Sequence, residues 1–163
     1  MTYDSTDVRH DGRHDFDFLH GHWHSRQRKL KDRLAGCDEW EEFDTDLQCR
    51  PVLGGLGNID ELASPAMTYI GLALRLYDEK DRTWSIFWIT GGDATIEAPV
   101  VGHFAGGVGD FICTDTHLGT PVLVRYRWSD ITSASARWAQ AFSTDDGATW
   151  ETNWTAEFSR AGA

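Results

Sequence analysis

The chain has 163 residues, a length that suits one domain with a sizeable core. Its formal net charge of -11 repels the phosphates of nucleic acids and the surfaces of anionic membranes, so neither is an expected partner. No apolar run reaches the roughly 20 residues of a membrane span. Because Met1–His10 is polar and acidic, no signal peptide is predicted, and a cytoplasmic protein with three reduced cysteines is expected.

The N-terminal part predicts a leader and then a single helical turn. Residues 1–13 are expected to be a disordered leader, and residues 14–163 a single domain. Asp15–His20 predicts one helical turn that packs Phe16, Phe18 and Leu19.

Ten strands are predicted after this turn, because runs rich in aromatic and β-branched residues alternate with Gly-rich and Asp-Gly turns. Their predicted ranges are Gly21–Leu34, Glu39–Pro51, Asn58–Leu62, Tyr69–Tyr77, Thr83–Thr90, Thr95–Phe104, Asp110–Thr116, Val122–Trp128, Ala134–Ser143 and Thr149–Ser159. No amphipathic helix separates the strands, which argues against an α/β fold. The predicted fold is all-β, a closed antiparallel up-and-down barrel that hides its edges, with a β-sandwich as the alternative.

The two ends of the chain carry a resemblance to a known superfamily. Phe16-Asp-Phe-Leu-x-Gly-x-Trp23 resembles the start of the lipocalin-like barrels of the calycin superfamily, in which an Arg on the last strand closes off this Trp. Arg160 is placed to stack on Trp23 in that way. The chain also resembles uncharacterised bacterial proteins that share this opening and an ending like Asp146-Gly-x-x-Trp-Glu-Thr-Asn-Trp154. The resemblance implies the fold and leaves the function open, since one fold hosts many functions.

Histidines crowd around Trp23 and raise the question of a metal or haem site. Residues two apart on a strand share one face, about 6.6 Å apart, so His22 and His24 are weak candidates for a shared metal, with His103 or a carboxylate as a third ligand. If Trp23 points inward, however, both histidines point to solvent. Haem would need an axial histidine inside the barrel, and His103 is the sole good candidate. No metal and no cofactor are predicted.

Charged residues on the predicted strands leave several alternatives open. Arg125 and Arg127 lie on the surface if the apolar residues between them face inward, and form an anion clamp if the register is reversed. The cost of burying an unpaired Arg favours the surface. The basic run Arg26–Arg33 is interpreted as the solvated part of a strand rather than as an anion patch. Glu97 and His103 form a candidate acid–base pair on residue type alone.

An aromatic interior is the predicted functional feature, because eight Trp, eight Phe and four Tyr are more than a small barrel needs as filler. Gln140 is expected on one face with Trp138 and Phe142, either as a hydrogen bonder for a ligand or as a core amide that is hydrogen-bonded to the backbone. On the last strand, the inward face is predicted to carry Trp150, Thr152, Trp154, Ala156 and Phe158. The predicted ligand-binding residues are Trp23, Trp88, His103, Tyr126, Trp138, Gln140, Trp150 and Trp154.

Three functions follow from a barrel of this kind. The first is binding of a small hydrophobic or aromatic molecule inside the barrel, by a monomer or a homodimer. The second is an enzyme of isomerase, cyclase or decarboxylase type, with His, Glu or Arg in the pocket as acid–base groups. The third is a filled barrel with a structural or interaction role. An empty apolar cavity favours binding, a polar cluster with shifted pKa values favours catalysis, and a filled interior excludes both.

Overall fold

A computed structural model describes residues 10–65 and 68–162. In these residues a 3-10 turn, Asp17–Leu19, precedes ten β-strands, and a second 3-10 turn, Leu53–Gly55, lies between the second and third strands. The strands are β1 (Gly21–Leu30), β2 (Trp40–Val52), β3 (Gly57–Ala63), β4 (Tyr69–Asp78), β5 (Thr83–Thr90), β6 (Val100–Ala105), β7 (Val108–His117), β8 (Thr120–Ser129), β9 (Ser135–Ser143) and β10 (Glu151–Arg160). No helix in the described part of the chain is long and apolar enough to cross a membrane.

The strands form a closed antiparallel barrel in which every strand pairs with its sequence neighbours. The ring is completed by β1 and β10, where Trp23 lies opposite Arg160. On its other side, Trp23 lies opposite Leu47 of β2. Closure gives each strand two partners and leaves no exposed sheet edge. The structure therefore confirms the all-β, up-and-down barrel predicted from the sequence.

Strand β8 shows how alternation in the sequence produces the inner and outer faces. Its apolar residues, including Tyr126 and Trp128, are buried inside the barrel, while the residues between them are partly exposed. Arg127 points outward and donates from Nε and Nη2 to the carboxylate of Asp110, at 2.7 and 3.0 Å. Arg125 also points outward, over an outer indole ring at 4.3 Å. The surface alternative for both arginines is thus confirmed, and the inward clamp is excluded.

One end of the barrel is closed by the N-terminal 3-10 turn. Phe16, Leu19 and Trp23 are fully buried there, and the Trp23 indole Nε1 donates to the Leu19 carbonyl at 2.8 Å. The guanidinium of Arg160 lies 4.2 Å from the centre of the Trp23 ring. Gly21 adopts a φ of 110°, and a side chain at this position would meet Arg160. The Trp–Arg stack expected from the resemblance is therefore present in this structure.

The predicted leader over residues 1–13 falls mostly outside the described residues, which begin at His10. Its last part packs on the closed end. The Gly12 amide donates to the Tyr77 hydroxyl at 2.9 Å, and the Trp84 indole donates to the Gly12 carbonyl at the same distance. These two hydrogen bonds join this segment to β4 and β5.

Two predicted strands extend beyond the strands of the structure by more than two residues. The first ends at Leu30, and Leu34 lies in the following loop with a φ of 58°, which a strand does not allow. The sixth begins at Val100, because the residues before it form a loop that touches β5 through an isolated bridge between Ile96 and Ile89. Both loops lie at the end of the barrel opposite the 3-10 turn.

The prediction for the inner face of β10 is correct at one end of the strand and wrong at the other. A β-bulge between Thr152 and Trp154 shifts the pairing with β9. The bulge buries Asn153, while Thr152 is exposed. Trp150 precedes the strand and packs outside the barrel under Arg125. An extra residue reverses the alternation of faces, so Trp150 and Thr152 do not follow Trp154 into the interior.

Candidate ligand-binding cavity

The barrel interior contains two neighbouring chambers at the end away from the 3-10 turn. The outer chamber has a volume of about 300 Å³ and the inner chamber about 50 Å³. Trp88, Tyr126 and Trp154 line both of them. A cavity of about 150 Å³ is enough to hold benzene, and ligand pockets begin at roughly 300 Å³. The outer chamber is therefore large enough for a small ligand, and the interior is not filled.

The inner chamber is walled by aromatic rings and reaches a buried ion pair. Arg75 of β4 pairs with Asp60 of β3, and their side chains are 6% and 0% exposed. The guanidinium also lies over the rings of Phe16 and Trp128, at 5.5 and 5.8 Å from their centres. Arg75 Nε and Asp60 Oδ1 have no hydrogen-bond partner among the described residues. The chamber thus has an apolar wall with one charged group at its inner end.

Trp154 is held in place by a chain of polar side chains. Its indole Nε1 donates to Gln27 Oε1 at 2.7 Å. Gln27 Nε2 in turn donates to Ser25 Oγ at 2.7 Å, and Ser25 Oγ lies 2.6 Å from the hydroxyl of Thr45. All of these side chains are buried. Because each polar group is hydrogen-bonded, the indole forms a fixed part of the cavity wall.

Trp88 owes its position to a glycine on the neighbouring strand. Gly71 faces inward on β4, and a methyl group built there would overlap the Trp88 indole. The Trp88 ring also packs edge-on against Trp154, with centroids 5.8 Å apart. Gly71 thus leaves the space that allows Trp88 to lie along the cavity wall.

Gln140 lines the outer chamber and links it to the bulge of β10. Its Nε2 donates to Oδ1 of the fully buried Asn153 at 2.8 Å. Its partner is therefore a side chain and not the backbone, unlike in the core-amide interpretation. Gln140 Oε1 accepts no hydrogen bond from a described residue. This oxygen is the acceptor that Gln140 can offer to a ligand.

Two cations reach into the outer chamber. Lys29 of β1 places Nζ 4.5 Å from the centre of the Trp154 ring, and Arg33 lies over the Phe142 ring at 5.3 Å. Both side chains are half-buried. Burial lowers the pKa of both, and the neighbouring Arg33 lowers the pKa of Lys29 further. The interpretation of the basic run as a solvated strand is wrong for these two residues, whereas Arg26, Arg28 and Lys31 are exposed.

Two acids face the cations from the rim. Glu97, in the loop before β6, and Asp115 of β7 line the outer chamber and are exposed to solvent. Partial burial raises the pKa of Glu97, and the charge of Asp115 raises it further. The same causes, burial first, raise the pKa of the Cys113 thiol to about 11. Cys113 is therefore a protonated thiol at neutral pH and a poor nucleophile.

Tyr126 presents its phenol between the two chambers. The residue is 8% exposed, and burial, its largest influence, raises the pKa of the phenol above its ordinary value. Its hydroxyl makes no hydrogen bond to any described residue. A neutral hydroxyl that makes no hydrogen bond to the described residues is a donor and acceptor for a bound molecule.

The structure brings five of the eight predicted ligand-binding residues to the cavity and leaves three elsewhere. Those at the cavity are Trp88, Tyr126, Trp138, Gln140 and Trp154. Trp23 lies in the closed end, Trp150 lies outside, and His103 is exposed on the outer face of β6. The structure therefore does not bring His103 together with Glu97. The histidine that lines the cavity with Glu97 is His117 of β7.

The two histidines of β1 lie on the outer surface of the barrel. His22 and His24 are exposed, and His24 lies near the carboxylates of Asp44 and Asp46, at 3.6 and 3.3 Å. Within the described ranges, no group of three or more His, Cys, Asp or Glu is arranged to hold a metal ion.

Several polar residues of the cavity are missed as site residues by sequence reasoning, among them Gln27, Lys29, Arg33 and Arg75. For Gln27 and Lys29 a signal existed, since alternation from the inward Trp23 places both inside the barrel. The same rule, counted from Tyr77, places Arg75 inside. Arg33 had no such signal, because it lies in a loop without periodicity.

A scan against protein-family models finds no match, and a search of curated proteins finds no similar sequence. The cavity itself therefore provides the argument for function.

Proposed function

We propose that this barrel binds a small molecule with an aromatic or hydrophobic body inside its cavity. The observation that carries the proposal is the open chamber of about 300 Å³ walled by Trp88, Tyr126 and Trp154. Ligand sites are concave, largely aromatic or apolar, and contain a few placed polar groups. The closed barrel and the stack of Arg160 on Trp23 also support a place among the lipocalin-like barrels.

The chamber volumes limit the size of the ligand. The outer chamber is about twice the volume that holds benzene, which suits one ring or two fused rings with a head group. The inner chamber of about 50 Å³ takes a small substituent at most. The expected ligand is therefore a compact aromatic molecule and not a long-chain lipid.

The wall is preformed, which favours affinity. Trp154 is hydrogen-bonded to Gln27 and packs edge-on against Trp88 and Trp138, with centroids 5.8 and 5.4 Å apart. Little side-chain freedom is lost on binding when the contacting rings are already ordered. At roughly 25 cal/mol per Å² of buried apolar area, a two-ring ligand reaches about micromolar affinity.

Isothermal titration calorimetry with 2-naphthamide, a neutral two-ring probe, tests the proposal. Val124→Trp fills the outer chamber from the inner face of β8, whereas Leu123→Trp places the same side chain on the outer face. Saturable binding that Val124→Trp abolishes and Leu123→Trp keeps would support the proposal. Absence of binding to the wild-type protein would refute it. Native mass spectrometry of freshly purified protein adds the mass of any retained ligand.

A second candidate function is acid–base catalysis on such a molecule. It is favoured by one observation, namely that the pKa of Glu97 is raised and that of Lys29 lowered in the same chamber. A general base there would exchange protons next to the carbonyl of a bound aryl ketone. With 2-acetonaphthone in D₂O, NMR would show faster deuterium incorporation that Glu97→Gln abolishes. Exchange at the buffer rate would exclude this candidate.

We also propose a homodimer in a reducing, cytoplasmic setting. The three cysteines are free thiols, as such a compartment would keep them.

The homodimer is proposed to form through the outer face, where Ile59, Leu74 and Phe87 lie side by side across β3, β4 and β5. Two copies of an acidic chain repel each other least through an uncharged face of this kind. Sedimentation velocity should show a dimer that Phe87→Glu dissociates, and a monomeric wild-type protein would refute the proposal.

A further inference from the structure

We infer that the cavity recognises a ligand whose aromatic body carries a carboxylate, held between Lys29 and Arg33. This inference rests on the proposed binding function and specifies the chemistry of its ligand. It follows from where the two cations lie, from the absence of a described carboxylate within salt-bridge distance of them and from the exposure of the opposing acids at the rim.

The position of Lys29 places a positive charge beside the aromatic wall. Its Nζ is 4.5 Å from the centre of the Trp154 ring, and this ring lines both chambers. Arg33 lies over Phe142, another residue of the outer chamber. A flat ligand that packs on Trp154 therefore has its outer end close to both cations.

Lys29 and Arg33 differ from the neighbouring cations in having no carboxylate within salt-bridge distance, although the charge of Glu97 acts on both from further away. Arg26 and Arg28 form salt bridges with Glu42, at 3.0 and 2.9 Å. Lys31 lies 3.6 Å from the carboxylate of Glu39, which directly precedes β2. By contrast, no carboxylate within the described ranges lies within 4.0 Å of Lys29 or Arg33. Half-buried charges are stable when paired, and a bound carboxylate supplies the pair.

The acids of the chamber oppose a carboxylate less than the cations attract it. Asp115 and the partly buried Glu97 lie at the rim, where water and salt screen charge more than in the interior. Lys29 and Arg33 are half-buried beside aromatic rings, where a charge interacts more strongly. The same two cations repel a cationic head group in this chamber.

Tyr126 supplies a neutral donor on the inner side of the same space. It lines both chambers, and its hydroxyl has no hydrogen-bond partner among the described residues. A phenol can donate to a carboxylate oxygen, as the two cations do. The outer chamber thus offers three donors to an anion, and none of the three makes a salt bridge or hydrogen bond with another described side chain.

Three probes of nearly equal shape test the inference by calorimetry: 2-naphthoate, 2-naphthamide and the 2-naphthylmethylammonium ion. The carboxylate is expected to bind at least about tenfold tighter than the amide, as charge-assisted hydrogen bonds imply. Lys29→Met should remove most of this preference. Lys31→Met, a change of the same kind two residues away on the exposed side, should leave it unchanged.

The outcomes separate this inference from the proposed function. If none of the probes binds the wild-type protein, the binding function itself is refuted. If 2-naphthoate and 2-naphthamide bind with equal affinity, the binding function stands and the inference of a carboxylate ligand is overturned. Tighter binding of the ammonium ion would also overturn it and would assign recognition to Glu97 and Asp115. Arg33→Gln, with its fold verified by thermal melting, repeats the test if Lys29→Met does not fold.

Discussion

Replacing Trp23 with alanine should destabilise the barrel strongly, because this side chain closes one end. The residue is 0% exposed, packs edge-on against Phe158 and lies under the guanidinium of Arg160. Truncation of a buried aromatic side chain costs about 3–5 kcal/mol. The upper part of this range is expected, since Leu19 also loses the donor to its carbonyl group.

Urea unfolding followed by circular dichroism measures this free energy of unfolding in a domain that unfolds in two states. Trp40→Ala is the matched control, because Trp40 is half-buried at the start of β2 beneath Arg28 and should lose about 1 kcal/mol or less. Equal losses in the two variants, or a loss below about 1 kcal/mol for Trp23→Ala, would refute the closing role. Since Trp23 does not line the cavity, Trp23→Ala should keep the affinity for 2-naphthoate at a temperature where it is folded.

Three further predictions concern buried or crowded polar groups. The pKa of Glu97 in the folded protein lies above its ordinary 4.5. The protonated carboxyl group therefore contributes to the free energy of unfolding below pH 4.5, and this contribution is lost as the pH rises through the folded-state pKa. The melting temperature of Glu97→Gln should therefore be higher than that of the wild type at pH 7 and equal to it at pH 3. A lower melting temperature at pH 7 would contradict the raised pKa of Glu97. Arg75→Met leaves Asp60 as a buried unpaired charge and should cost about 3–5 kcal/mol in urea unfolding, most of which Asp60→Leu should restore in the double variant. Gln140→Ala removes the donor to the buried Asn153 and should cost about 1–3 kcal/mol by the same measurement, so a neutral result would show that the pair is dispensable.

The fold could be predicted because each step depended on local signals. Turn residues between short apolar runs gave the number of strands, and alternation along β8 placed Tyr126 inside and Arg125 outside, as the structure shows. Closure followed from the need to cover two sheet edges. The pairing of Arg160 with Trp23 depended on the resemblance, and the register of β1 and β10 supports it.

The site could be predicted only in part, because two features that shape it have no periodic signal. The bulge at Asn153 inserts one residue and reverses the faces before it, so Trp150 and Thr152 were assigned to the wrong side. Arg33 reaches the cavity from a loop whose path depends on tertiary packing. The inward position of Lys29 did follow from alternation, but its charge suggested a solvent-facing residue. Long cationic side chains can line an interior when their stems pack on aromatic rings.

The most direct test of ligand binding in the cavity is solution NMR of the protein with 2-naphthoate. If the ligand lies in the cavity, intermolecular nuclear Overhauser effects are expected between the naphthalene protons and the indole protons of Trp88 and Trp154, which line both chambers. None is expected to Trp23, which is buried in the closed end. Overhauser effects confined to the outer surface, or no saturable shift changes at the cavity residues, would contradict it.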